Sequence, residues 1–195
     1  VLVVGALIGA LVSRRSFVLC CIAGALLSAC SSAVAWHGFV RDPSFAPPKE
    51  LRLVMFRSER ARAQDSAGFV DIVVLTVQQD LRERGIEAEV VEARTSDYPP
   101  PRAELHFLDA NEGSGAERWV TYGIAGTAGI ELECRLVDAS GKVTLSGRVR
   151  GEDHGEFTSG RGAAEAAGHA VAEALSDPKY EAPPPHFQKN GPPSP

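Results

Sequence analysis

The sequence carries almost no cysteine where a fold could use it. Of its four cysteines, Cys20, Cys21 and Cys30 stand within the first thirty residues, and only Cys134 lies beyond them. A small secreted scaffold held by disulfides would carry an even set within its folded body, so that class is excluded. Basic charge is also short. Arg14 and Arg15 are the only charged residues before position 31, which leaves 18 basic against 25 acidic side chains in the remainder, a net of −7. Nucleic-acid binding relies on a basic surface that releases counterions, and an acidic body offers none. The same deficit makes a poor peripheral binder of anionic lipid, so membrane association has to come from another feature. No apolar run reaches the roughly 20 residues of a spanning helix. Also missing are G-x-S-x-G, H-E-x-x-H and paired metal-binding motifs, so neither catalysis nor a cofactor is expected; the alternative is a secreted or anchored ligand-binding protein or hydrolase whose site is assembled from scattered residues.

What is present is a globular composition, 44% hydrophobic and 23% charged, which argues against wholesale disorder. A leader precedes it. From Phe17 to Ala29 the chain is apolar or small, a length that fits a signal-peptide h-region of roughly 7–15 residues, with Arg14 and Arg15 as its positive n-region. Residues 1–12 (VLVVGALIGALV) are apolar too. Joining them to Phe17–Ala29 would bury both arginines at about 2.5–3.5 kcal/mol each, which argues against one continuous span. Translation is expected to begin near Val12, with residues 1–11 upstream of the true start.

Leu27-Ser28-Ala29-Cys30 closes the h-region. It resembles the lipobox of bacterial lipoproteins, an aliphatic residue and two small ones before the cysteine that is lipidated and becomes the new N-terminus. Lipidation is therefore expected at Cys30. Ser31 follows it, and Ser rather than Asp there suggests sorting to an outer membrane. One alternative stands beside this, and one further feature bears on the export route. Ala33-Val34-Ala35 before Trp36 is an A-x-A signal-peptidase site, which would give a secreted protein. Ser13-Arg14-Arg15-Ser16-Phe17-Val18 resembles the twin-arginine export motif, with Leu19 in place of its usual Lys.

Residues 31–50 are rich in Ser, Ala and Pro without a period and read as a tether. The domain is expected over 51–176, and the Pro-rich stretch 177–195 reads as a disordered tail. Leu51–Phe56 has strand length. From Asp65 and Ser66 to Arg84 a helix is expected, with Phe69, Val70, Val73, Val74, Val77 and Leu81 on one face and Gly85 as its stop. Glu87–Ala93 reads as a strand, as does Ala103–Leu108 with Ala103, Leu105 and Phe107 inward. Trp119–Tyr122 reads as a short strand.

Ile130, Leu132, Cys134 and Leu136 alternate with Glu131, Glu133 and Arg135, and Val143, Leu145, Gly147 and Val149 alternate after Asp138-Ala139-Ser140-Gly141. Pairing Val137 with Lys142 sets Leu136 against Val143, Cys134 against Leu145, Ile130 against Val149, and Glu131 against Arg148. A last helix is expected over Gly162–Leu175, burying Ala164, Ala167, Gly168, Val171, Ala174 and Leu175. These elements predict an α/β (α+β) domain, a single mixed sheet of about five strands with two helices packed on it.

The lipobox, the Pro-rich stretch, this element order and the closing RLVDASGKV turn resemble an uncharacterised family of bacterial envelope lipoproteins with a small α/β domain. More distantly they are similar to lipoproteins of curli secretion and peptidoglycan-synthase activation. The resemblance implies a non-enzymatic accessory role at the outer membrane facing the periplasm. The partners it implies are the membrane, through the anchor at Cys30, and an envelope protein or cell-wall component. It transfers no site residues.

The remaining candidates are weak. The histidines are dispersed, at 37, 106, 154, 169 and 186. Glu152-Asp153-His154 lacks a second ligand group at zinc spacing and reads as a solvated loop. Gly123, Gly126 and Gly129 lack the spacing of a phosphate loop. Ser159-Gly160-Arg161-Gly162 reads as a flexible cap before an anion site. Cys134 reads as a buried, inert thiol.

Overall fold

The computed structural model describes residues 32–65, 68–93, 98–111, 128–153 and 160–183. The described strands are β1 (Ser32–Arg41), β2 (Glu50–Arg57), β3 (Glu87–Glu92), β4 (Arg102–Asn111), β5 (Ala128–Val137) and β6 (Val143–Asp153). The helices are α1 (Glu59–Gln64), α2 (Phe69–Glu83) and α3 (Arg161–Ser176). One six-stranded mixed sheet runs in the order β1-β6-β5-β4-β2-β3. β2 is parallel to β3 and to β4, and the other pairs are antiparallel. The α/β class is as expected, with one more strand and one more helix.

α2 crosses from β2 to β3, as a parallel pair requires. All six apolar residues expected on its inner face are buried. The Asp65 carboxylate accepts from the Phe69 N–H at 2.5 Å, which satisfies an orphan donor of the first turn. α3 buries every residue expected of it and also Ala163, Ala170 and Ala172. Its small side chains bring it onto the sheet, and a Cβ at Gly151 of β6 would stand 2.4 Å from the Ala163 carbonyl oxygen. Ala103, Leu105 and Phe107 of β4 face this core and are buried.

Four sequence readings need correction. Residues 32–41 are not tether. They form the edge strand β1, paired with β6 from Ser32 opposite Asp153 to Arg41 opposite Leu145, with a register shift between His37 and Val40. Small residues and this irregularity at Gly38 (φ 61°) erase the two-residue period that marks a strand. Trp36 is nevertheless core, only 3% exposed.

Second, the start of the stretch read as tail is not loose, because Tyr180 and Ala182 pack against the core, while residues 184–195 lie outside the described residues. The Trp36 indole N–H donates to the Tyr180 hydroxyl at 2.8 Å. Arg41 donates to the Tyr180 carbonyl at 3.1 Å and to the Ala174 carbonyl at 2.7 Å, near the end of α3 where carbonyls lack helical partners. Its guanidinium lies 4.7 Å from the Phe45 ring centre and 5.3 Å from that of Phe39.

Third, the β5–β6 hairpin is real but its register is shifted by two. Leu136 faces Leu145, Cys134 faces Gly147, Leu132 faces Val149 and Glu131 faces Arg150. One residue of the shift comes from a loop longer than expected, with Val137 opposite Val143 rather than Lys142, and the other from a bulge beside Val137 that leaves Thr144 extra. The Thr144 carbonyl accepts from Asp42 N–H of the chain leaving β1. A shift of two preserves the faces, although Val143, expected inward, is 48% exposed.

Fourth, Glu59–Gln64, for which no element was expected between the strand ending at Phe56 and the helix from Asp65, is helix α1, capped by the Ser58 hydroxyl accepting from Ala61 N–H at 3.0 Å. Trp119–Tyr122 and most of the glycine-rich stretch lie outside the described residues, as do Cys20, Cys21 and Cys30.

Candidate functional site

Both long helices cover one face of the sheet, so the alternate residues of each strand line the other. The faces follow from strand period. On β5 these are Glu131, Glu133 and Arg135, and on β6 Ser146, Arg148 and Arg150. Arg148 reaches Glu131 at 3.3 Å and Glu133 at 3.0 Å. The Glu131–Arg148 contact expected from the sequence therefore exists, but as a diagonal across the shifted register. Arg135 lies 3.7 Å from Glu133, and Arg150 lies 2.6 Å from Glu152.

The pattern continues over β4 and β2. Arg102 donates to Glu104 at 2.7 Å, His106 Nε2 lies 3.6 Å from the same carboxylate, and Arg52 reaches Glu89 of β3 at 3.2 Å. His106 stacks on Phe56 with ring centres 4.2 Å apart and planes 1° from parallel. One shallow, open depression of about 620 Å³ lies over the hairpin, lined by His37, Glu131, Glu133, Arg135, Arg148 and Arg150.

The electrostatics of this face follow from the pairing. The hydrogen bond from Arg148 holds the Glu133 carboxyl below its ordinary range, and Arg148 is in turn held more firmly protonated by Glu133. Carboxylates fixed in the ionised state by arginines are poor proton donors near neutrality. The arrangement presents alternating fixed charges over a flat surface, which suits recognition of a partner with matching charges.

Most residues singled out from the sequence are dispersed. His37 lies on β1 opposite Arg148, and His106 on β4 opposite Glu133. His169 of α3 contacts Asp80 of α2 at 2.7 Å, tying the helices together. His154 and His186 lie outside the described residues. Glu152 and Asp153 are not in a solvated loop. They end β6, 9% and 3% exposed, because β1 supplies a neighbour as far as Ser32 and extends the ladder beyond the expected edge. Among the described residues no group of three acidic, His or Cys side chains is placed to hold a metal ion.

The cap before α3 is close-packed at Gly160, where a Cβ would stand 2.6 Å from the Phe69 ring. Arg161 pairs with Glu165 at 2.7 Å rather than turning toward the helix end. Cys134 is fully buried and free, and burial pushes its thiol pKa up to about 12. Sequence reasoning missed the Phe56–His106 stack, which depends on the parallel β2–β4 pairing that no local pattern announces, and the Arg102–Glu104 pair, whose two-residue spacing on one face of β4 could have shown it.

The sequence matches no family model and no curated protein. Among solved structures, the PelC dodecamer from Paraburkholderia phytofirmans is similar at 15% identity and a TM-score of 0.49, over 77% of this chain and 99% of that one. A point variant of the same dodecamer is similar at 14% identity and a TM-score of 0.52, over 75% and 99%. The second likeness shows a shared fold.

Proposed function

We propose that this chain is a lipid-anchored, non-catalytic protein of the cell envelope, held at the outer membrane through Cys30 and facing the periplasm. Its domain binds another envelope component, a protein or the cell wall. The observation that carries the anchoring reading is where β1 begins. Signal-peptidase cleavage after Ala35 would remove Ser32–Ala35, four residues that pair with β6. Processing at Cys30 leaves the whole strand in the mature chain. The resemblance of Leu27–Cys30 to a lipobox supplies the chemistry, and multiple acyl chains at about 0.8 kcal/mol per buried CH₂ make release negligible.

The binding reading rests on the open sheet face, whose paired charges suit docking better than proton transfer. Two variants in the producing cell test the two parts separately. Cys30→Ala is expected to give unprocessed precursor or soluble protein. Normal processing and membrane attachment in that variant would overturn the anchor. A photo-crosslinker in place of Arg135 is expected to capture an envelope component, with capture lost on adding Arg148→Glu. Capture unchanged by Arg148→Glu would remove this face from the binding reading.

A second reading concerns self-association. A solved protein that shares this fold is a dodecamer, and we propose that the component bound includes further copies of this chain. Sedimentation of the purified protein distinguishes the two. Assembly is expected, and a monomer at all concentrations would leave only a foreign partner.

A further inference from the structure

We infer that the domain stands directly on the bilayer, on the end of its sheet where β1 begins, with no flexible tether between anchor and fold. The inference rests on the lipidation of Cys30 proposed above. Ser31 alone separates that residue from Ser32, the first residue of β1. Two residue steps span at most about 7 Å. Ser32 is itself fixed. It pairs with Asp153, and its hydroxyl oxygen stands 2.4 Å from where Gly162 of α3 would carry a Cβ. The residue proposed to carry the lipid is therefore only two residue steps from a paired strand position.

The strand directions then decide which parts of the domain meet the lipid. Ser32 opens β1, Asp153 closes β6, Ala128 opens β5 and Asn111 closes β4, all at one end. α1 sits at this end as well, with Ser58 donating through its N–H to the Phe107 carbonyl and Arg60 reaching Asp109 at 2.9 Å. The opposite end carries the Asp138–Lys142 turn and the Lys142–Asp42 contact. β6 has 11 residues, so the two ends are separated by about 35 Å.

The anchored end also carries Arg62, exposed on α1 beside Glu59, while Arg60 and Arg161 there are paired with Asp109 at 2.9 Å and with Glu165 at 2.7 Å. Arg62 can place its charge at phosphate level while its stem lies along apolar surface. The charged sheet face then stands steep to the membrane and looks along it, and contacts are confined to roughly the domain's own height.

The experiment uses full-length lipidated protein in vesicles of phosphatidylethanolamine and phosphatidylglycerol that carry a headgroup quencher. A thiol fluorophore is attached at Ala63→Cys, on α1, or at Ser140→Cys, in the far turn. Cys134 is buried and stays unlabelled in the native protein. Quenching at 140 is expected to be at least about threefold weaker than at 63, given the 35 Å difference in height. A 15-residue Gly/Ser spacer inserted between Ser31 and Ser32, with a span of about 20 Å, is expected to abolish that difference. Equal quenching at both positions without the spacer would overturn the inference while leaving the anchor intact, provided the protein still floats with the vesicles. Failure to float would overturn the anchor reading, and the orientation with it.

Discussion

Trp36→Ala separates a structural strand from a tether more sharply than any other change. Trp36 is 3% exposed. Its ring meets Phe39 edge-on at 4.9 Å and Tyr180 at 6.4 Å between centres, and its N–H bonds to the Tyr180 hydroxyl. Truncating a buried Trp to Ala costs about 3–5 kcal/mol through lost transfer energy and the cavity left behind. Tyr180 is half-buried, so water can replace the lost donor and adds little to that figure. Total stability of a domain this size is about 5–15 kcal/mol, so the loss is a large share of it. With a urea dependence of about 2 kcal/mol/M, the unfolding midpoint falls by about 2 M. Trp36→Phe keeps most of the packing and removes only the hydrogen bond, for about 0.5–1.5 kcal/mol. Equilibrium urea unfolding, followed by far-UV circular dichroism to avoid the altered fluorophore, measures both. A loss below about 0.5 kcal/mol for Trp36→Ala, the usual effect of a change at an exposed site, would refute the assignment of residues 32–41 to the sheet.

Gly151→Ala is expected to cost at least about 1–3 kcal/mol, since its Cβ meets the backbone of Ala163; thermal unfolding reports it, and an unchanged midpoint would mean that α3 does not lie on β6 as described. Cys134 is expected to react with a thiol reagent only on unfolding. Its folded pKa, near 12, lies above the unfolded value of about 8.5, so its contribution is fully present below that unfolded value. It is lost as pH rises toward 12, because only the unfolded chain releases the proton there; rapid native labelling would refute the inward placement of β5. Arg148→Ala is expected to cost under about 1 kcal/mol, as exposed pairs do, and to weaken the acid dependence of stability. Glu133, held below its ordinary pKa, stabilises the fold above the unfolded carboxylate range and loses that contribution as pH falls through its folded value. An unchanged acid limb in pH-dependent unfolding would contradict the pairing.

The core of the fold was legible wherever burial imposes a period. α2 and α3 bury the residues that their 3.6-residue spacing selects, and β4 and β5 bury those selected by alternation. β1 was not legible. An edge strand with one neighbour and an irregularity at Gly38 carries little period, and Ala33 and Ala35 add little strand preference. Missing β1 also hid the burial of Glu152 and Asp153. The packing of Tyr180 was hidden for a related reason, since it finds its partners 139 and 144 residues back along the chain. The hairpin faces were legible while its register was not, because alternation fixes a face, and the loop length and the bulge at Thr144 fix the pairing. The open face of the sheet was legible as polar, but its cross-strand partners follow from topology alone. Half of the stretch 31–50 that reads as a tether is strand β1, so deletion of residues 31–45 is expected to unfold the domain.

The mass of the mature N-terminus tests the central claim most directly. The protein is extracted from the membranes of a producing cell, digested, and its N-terminal peptide weighed. The peptide is expected to begin at Cys30 and to carry a thioether-linked diacylglyceryl group with an N-acyl chain. A mature chain that begins at Trp36, or an unmodified Cys30 within a longer peptide, would contradict it.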